Sequence, residues 1–238
     1  MVGFSGVISR TRSVSYNQGL RNYMLGVYNY MTVALAISGL IAYLTARSGL
    51  AILLFRSPLV WIISFAPLII SIVMSVKIAS AKISTIKALF FGYSVLMGMS
   101  LSTIFLVFSG EMIAKTFFIT ASMFGAISIY GYTTKKDLSG YGHILIMIVW
   151  GLLIASIVNI FTHSSGLSFG ISCVSVVVFS LLVAYDTQNL KNMYYAIEHD
   201  SDLKTRLGIF GALQIYIDFL AIFIHLLQIF ASLQGRRD

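Results

Sequence analysis

Seven stretches of this chain are apolar for long enough to cross a bilayer, at roughly 27–46, 59–76, 88–109, 113–132, 144–162, 167–190 and 208–233. A helix needs about 20 apolar residues to span a hydrocarbon core of about 30 Å, so seven crossings take about 140 residues. A chain of 238 residues then has only short connections left, with no room for a separate soluble domain. Lipid offers no water to bond a bare backbone, so each crossing must satisfy its own amides as a helix. Composition agrees: 58% of residues are hydrophobic and 10% charged, against about 45–50% and about 25% in soluble domains. The expected architecture is an all-α integral membrane protein, with residues 27–238 forming one seven-helix domain behind an N-terminal tail of residues 1–26.

The first apolar run, Val27 to Ala46, exceeds the about 7–15 residues of a signal-peptide core and reads as a retained span. Basic residues then orient the bundle, because short cytoplasmic loops retain Lys and Arg. With the N-terminus inside, Arg10, Arg12, Arg21, Lys77, Lys82, Lys87, Lys135, Lys136, Lys191, Lys204 and Arg206 are cytoplasmic. Arg47, Arg56, Lys115, Arg236 and Arg237 are outside, and eleven against five favours N-in, C-out. The net charge of +8 is thus spread between spans as a topology signal and forms no continuous patch for nucleic acid. The single cysteine, Cys173, excludes an intrachain disulfide and a cysteine-based metal cluster. Only two prolines occur: Pro58 opens the second span, and Pro67, inside it, is expected to kink it or free a carbonyl. Most spans can therefore be unbroken helices. Small residues such as Gly98, Ser100, Ser102 and those from Gly125 to Gly131 suit close helix contacts in lipid.

Of eight acidic residues, only Asp186 and Asp218 fall inside apolar runs. A carboxylate at bilayer depth costs about 2.5–3.5 kcal/mol or more and normally faces the bundle interior with a partner. Taking the sixth span to enter the core near Ile171 puts Asp186 about 22 Å along it, at about 1.5 Å per residue. The seventh span runs back the other way after a short loop, so the two helices are expected to be antiparallel neighbours with Asp218 at matching depth. Two carboxylates in such a place cannot both ionise cheaply, so they hold one proton between them. Ionised, they offer hard oxygens to a cation in transit. Asp186 and Asp218 are therefore the candidate pH-sensing, ion-path and transient metal-binding residues. His225, two turns after Asp218, could extend a polar track, although a histidine packed and hydrogen-bonded within the bundle is the commoner arrangement. Lys77, at the inner end of the second span, either snorkels to the headgroups or neutralises an aspartate. Asn159 and Gln214 are assigned to interhelical hydrogen bonds.

Enzymatic readings lack their motifs. Tyr185-Asp186 matches half of the intramembrane aspartyl protease signature, but Asp218 follows Tyr216-Ile217 where Gly-x-Gly is required, and no proline follows Pro67. The one Gly-x-Ser-x-Gly match, Gly166-Leu-Ser168-Phe-Gly170, opens a long apolar run and forms no strand-to-helix elbow, and His-Glu-x-x-His and Walker A sequences are absent, so neither an enzyme nor a cofactor is expected.

Val27-Tyr-Asn-Tyr-Met31, Met97-Gly-Met-Ser-Leu-Ser102, Tyr130-Gly-Tyr-Thr-Thr-Lys-Lys-Asp137, Ala184-Tyr-Asp-Thr-Gln188 and Tyr216-Ile-Asp-Phe219 occur in that order. Together they resemble the Bax inhibitor-1/YccA-like family, particularly its bacterial members, from about Tyr16 to the end. The resemblance implies a central helix surrounded by the others, a place in the bacterial cytoplasmic membrane, and a pH-sensitive calcium leak gated by a hydrogen-bonded aspartate pair, here Asp186 and Asp218. Calcium ions and protons would be its traffic, with no cofactor. It also implies an arginine latch from the second helix; here Lys77 is the nearest basic residue. Ala221 stands where relatives often have asparagine. Some relatives are described as modulators of an ATP-dependent membrane quality-control protease, which implies an alternative role as a slow substrate seized through Met1–Gly26.

Charge distribution and an odd span count together predict that reporter fusions place the 133–143 loop inside and Arg236-Arg237 outside. A cytoplasmic C-terminus would contradict both.

Overall fold

The computed structural model describes residues 4–197 and 200–234, with the side chains of residues 4–17 excepted. Arg10, Arg12, Arg236 and Arg237, used above to orient the chain, therefore lie outside the described side chains. Among the described residues the chain is helical, with no strand. The helices are α1 (Phe4–Arg47), α2 (Leu50–Arg56), α3 (Leu59–Lys77), α4 (Ile83–Leu101), α5 (Ile104–Val107), α6 (Gly110–Thr133), α7 (Gly142–Thr162), α8 (Ser165–Ala196) and α9 (Ser201–Gln234). A 3-10 turn, Ser139–Tyr141, precedes α7. Seven spans are long and apolar enough to cross a membrane: 18–47, 59–77, 83–107, 110–133, 139–162, 165–196 and 201–234.

The hydropathy boundaries shift for physical reasons. The helix of the first span begins before Val27, and Leu20 and Met24 already lie in the core. Gln18, Arg21 and Asn22 lower the local hydropathy there without interrupting the buried face. The third span is not one helix. It turns at Ser102–Thr103, where the Ser102 N–H and hydroxyl both donate to the Met99 carbonyl, at 3.3 and 2.6 Å. Pro67, by contrast, is accommodated inside α3, which continues to Lys77. Asn159 bridges no helices: its Oδ1 accepts from Thr162 Oγ1 and Ser164 N, closing the end of α7 where His163 turns left-handed at φ 48°.

The seventh span, on α9, is the centre of the bundle. Its most apolar window is 67% buried, against 6–39% for the other six spans. It packs on α1, α3, α4, α6 and α8, and Ile209, Leu213, Ile215, Tyr216, Ile222 and Leu227 are almost wholly enclosed. The outward faces of α3 and α7 are apolar and exposed, as with Trp61, Ile62, Met147 and Trp150, which suits lipid as their neighbour. Two contacts show which connections share one end. The Arg206 guanidinium, near the start of α9, donates from Nη1 to the carbonyls of Ala79 and Ala81 at 2.8 and 2.9 Å, closing the α3–α4 turn. The Gln188 amide binds the α6–α7 connection. That end also carries the start of α1 and the α8–α9 turn.

Close packing of α1 on α4 depends on Gly98: a Cβ there would lie 2.7 Å from the Ser38 carbonyl oxygen and 2.9 Å from Ile41 Cβ. Gly98→Leu should therefore destabilise the fold by about 1–3 kcal/mol, the usual range for overpacking. Gly151→Leu, which meets nothing within 4 Å, should leave thermal unfolding in detergent unchanged.

Candidate functional site

The seam between α8 and α9 is the most extensive helix contact in the molecule, and it carries both intramembrane aspartates. Asp186 and Asp218 are each buried, at 8% and 5% exposure, and their carboxyl groups lie near enough to interact directly. A carboxyl–carboxyl hydrogen bond requires a proton on one member. Asp218 Oδ2 remains without a partner. No other ionisable group is among their interaction partners within the described residues. An enclosed carboxylate with a bare oxygen is costly, and a proton or a metal cation is what relieves it.

Five consecutive residues around Asp186 reach five different places. Ala184 lies against Gly131 of α6, where a Cβ would come 2.5 Å from the Ala184 carbonyl oxygen. The Tyr185 ring covers Gly142 at the start of α7, where a Cβ would come 2.5 Å from the ring. Asp186 meets Asp218. Thr187 Oγ1 lies 3.3 Å from the Tyr28 hydroxyl of α1. Gln188 uses both ends of its amide: Leu138 N donates to Oε1 at 2.7 Å, and Nε2 donates to the Lys136 carbonyl at 2.8 Å. One turn on, Lys191 Nζ donates to the Tyr132 carbonyl at 3.0 Å. The α6–α7 connection is thus held down on α8 beside the aspartate pair. Within that loop, the Ser139 N–H on the exposed Asp137, 2.9 Å from Oδ1, leads in holding its carboxyl below the usual range, with the Ser139 side chain adding to it.

Toward the opposite end the seam stays partly polar. His225 lies about 10 Å beyond Asp218 along α9; it stacks on Phe179 of α8 with ring centroids 6.5 Å apart and shares a hydrogen bond with Gln228. Ser172 Oγ donates to Gln228 Oε1 at 2.8 Å. His225 Nδ1 and the buried Ser175 hydroxyl have no partner. Ile222 and Phe179 interrupt this column between the aspartates and the outer polar group.

The family described as inhibitor of apoptosis-promoting Bax1 matches residues 20–235. The chain is 42% identical over 217 residues to inner membrane protein YbhL of Escherichia coli K12, covering 90% of this chain and 93% of that one. An uncharacterized protein of Rickettsia prowazekii is 40% identical over the full length of both chains, and protein YrjE of Lactococcus lactis is 31% identical over 93% of this chain and 95% of its own. This chain belongs to the Bax inhibitor-1 family. It is an integral membrane protein, and the similarity to YbhL places it with those of the inner membrane.

Against that family background, the residues singled out from sequence separate. Asp186 and Asp218 come together. His225 lies on the same seam, with its own partners. Lys77 does not reach the pair: it ends α3 as an exposed side chain, with no bond to either aspartate among the described residues. The reason is architectural, since α3 packs chiefly on α4 and touches α9 only briefly. Gln188 and Tyr28 were quoted as pieces of motifs without a role, and their functional contacts are to residues far away in sequence.

Because Gln188 alone ties Lys136 and Leu138 to α8, Gln188→Ala should free the connection. Two lost hydrogen bonds of about 1 kcal/mol each correspond to roughly thirtyfold faster amide exchange at residues 134–138. Exchange followed by mass spectrometry checks this; unchanged protection would mean the loop is held by its own turns.

Proposed function

We propose that this Bax inhibitor-1 family member is a cation leak, with calcium as its ion, gated by the Asp186–Asp218 pair, and that it is neither an enzyme nor dependent on a cofactor. The observation that supports the reading is the meeting of two carboxyls, buried at the seam of the central helix, with no basic side chain among their partners within the described residues. One proton shared by the two keeps α8 and α9 joined. Removing it sets two negative charges side by side in a medium of low polarity, where repulsion strains the seam. Adding a second removes the charged acceptor and weakens the bond. Both carboxylates, once parted, present hard oxygens suited to calcium.

The path on this reading passes from the loop-covered end, past the pair, to His225, Ser175 and Gln228. The N-terminus and the Gln188-bound loop face the cytoplasm, following the basic residues of that end. The alternative, capture of Met1–Gly26 by a membrane protease, is left with a short handle, because Leu20 and Met24 are committed to the core.

Flux of calcium into proteoliposomes, followed across a pH series, should be lowest where the pair holds one proton and should rise on either side. Asp218→Asn keeps the shape and supplies a permanent donor, so flux should lose this pH dependence. Asp186→Asn should shift the same titration, and the double variant should not show the sum of the two effects. Unchanged profiles in all three would leave the pair a structural contact. Deleting residues 1–17 should leave flux unchanged; on the protease reading it abolishes co-purification of the protease.

A further inference from the structure

The bundle has a second feature that ion conduction does not use. Between α1 and α6, at the end that carries the basic connections, lies a cavity of about 540 Å³. Its walls are apolar over most of their area, with Met24, Leu25, Phe124 and Ile129 among them, and Arg21 stands at its mouth. No acidic residue lines it. Ser128 lines it too, with a buried hydroxyl that has no partner. Ser94, Ser122, Ser156 and Ser180, by contrast, bond the carbonyl four residues back. Tyr132 also lines it, and Lys191 lies against Tyr132, bonded to its carbonyl and 5.7 Å from its ring centroid.

We infer that this groove is a binding site for one anionic phospholipid, with its phosphate on Arg21 and an acyl chain along the apolar wall. An apolar trough that opens at headgroup level under an exposed cation has the two-part chemistry of such a lipid. A zwitterionic lipid fills the trough equally well but brings an ammonium beside Arg21 and Lys191, so the charge of the headgroup decides the preference. The glycerol ester is the kind of acceptor that the Ser128 hydroxyl lacks. Tyr28 lines the same groove and bonds Thr187, so an occupant abuts the residue next to Asp186. Binding itself does not depend on the leak reading, and the test measures binding alone.

Gly125 makes the site separable from the fold. It lines the groove, and a Cβ there meets nothing within 4 Å, so Gly125→Phe starts a side chain into the trough from a position with open space around it. The purified full chain in neutral detergent is titrated with phosphatidylglycerol, phosphatidylcholine or inorganic phosphate, and bound lipid is counted by native mass spectrometry. Wild type should retain one phosphatidylglycerol in preference to phosphatidylcholine and show no response to phosphate. Arg21→Gln should cut that preference about fivefold, the worth of one basic side chain near a charged headgroup. Gly125→Phe should lose both lipids at this site, while Gly151→Phe, on the exposed face of α7, should behave as wild type. Equal retention of the two lipids by wild type, phosphate competing as well as lipid, or unaltered binding in Arg21→Gln and Gly125→Phe would each overturn the assignment.

Discussion

The burial of Asp186 against Asp218 at the α8–α9 seam is the constraint around which the bundle is arranged. A carboxyl at this depth has three ways to be tolerated: a cation beside it, water around it, or a proton shared with a second carboxyl. Here no basic side chain reaches the pair among the described residues. On the proposed reading a shared proton takes that place, and the contact between the two most closely associated helices then depends on a titratable link. A hydrophobic seam would be stronger and indifferent to pH.

The surrounding contacts follow from holding that seam in register. Small residues, Gly131 and Gly142, let α6 and α7 approach α8 on either side of Asp186. Thr187 reaches α1 and Gln188 reaches the α6–α7 connection, so one turn of α8 touches α1, α6, α7 and α9. Separation at the aspartates would therefore be felt by most of the bundle. Such packed elements move between discrete arrangements, because close-packed interiors deform poorly. The groove between α1 and α6 lies within reach of the same turn through Tyr28, which gives lipid chemistry a route to it.

Much of this was legible in the amino-acid sequence, for specific reasons. Lipid forces each span to be a long apolar helix, so seven runs announce seven spans. Acids are expensive there, so Asp186 and Asp218 stand out without any geometry. Their antiparallel pairing followed from a short loop. Less visible was the entry of α1 before Val27, because Arg21 and Asn22 face outward while Leu20 and Met24 face the core, and average hydropathy cannot separate two faces. The break at Ser102–Thr103 was hidden because hydroxyl residues are equally at home in continuous helices. Asn159 was misassigned to a neighbouring helix because residue type does not distinguish an end-of-helix acceptor from an interhelical one. Gln188 and Tyr28 could not be read at all: a polar side chain near a helix end has solvent as its ordinary partner, and only the fold brings Leu138 or Thr187 to it.

The most direct measurement is infrared difference spectroscopy of the protein in lipid during a pH titration, recorded for wild type and for each aspartate-to-asparagine variant. A proton shared by the pair predicts a protonated-carboxyl band in wild type that is lost as pH rises, over the same range in which calcium flux increases, and that is absent or displaced in both single variants. A wild-type spectrum with no protonated carboxyl assignable to Asp186 or Asp218, or a band whose loss leaves flux unchanged, would contradict the account.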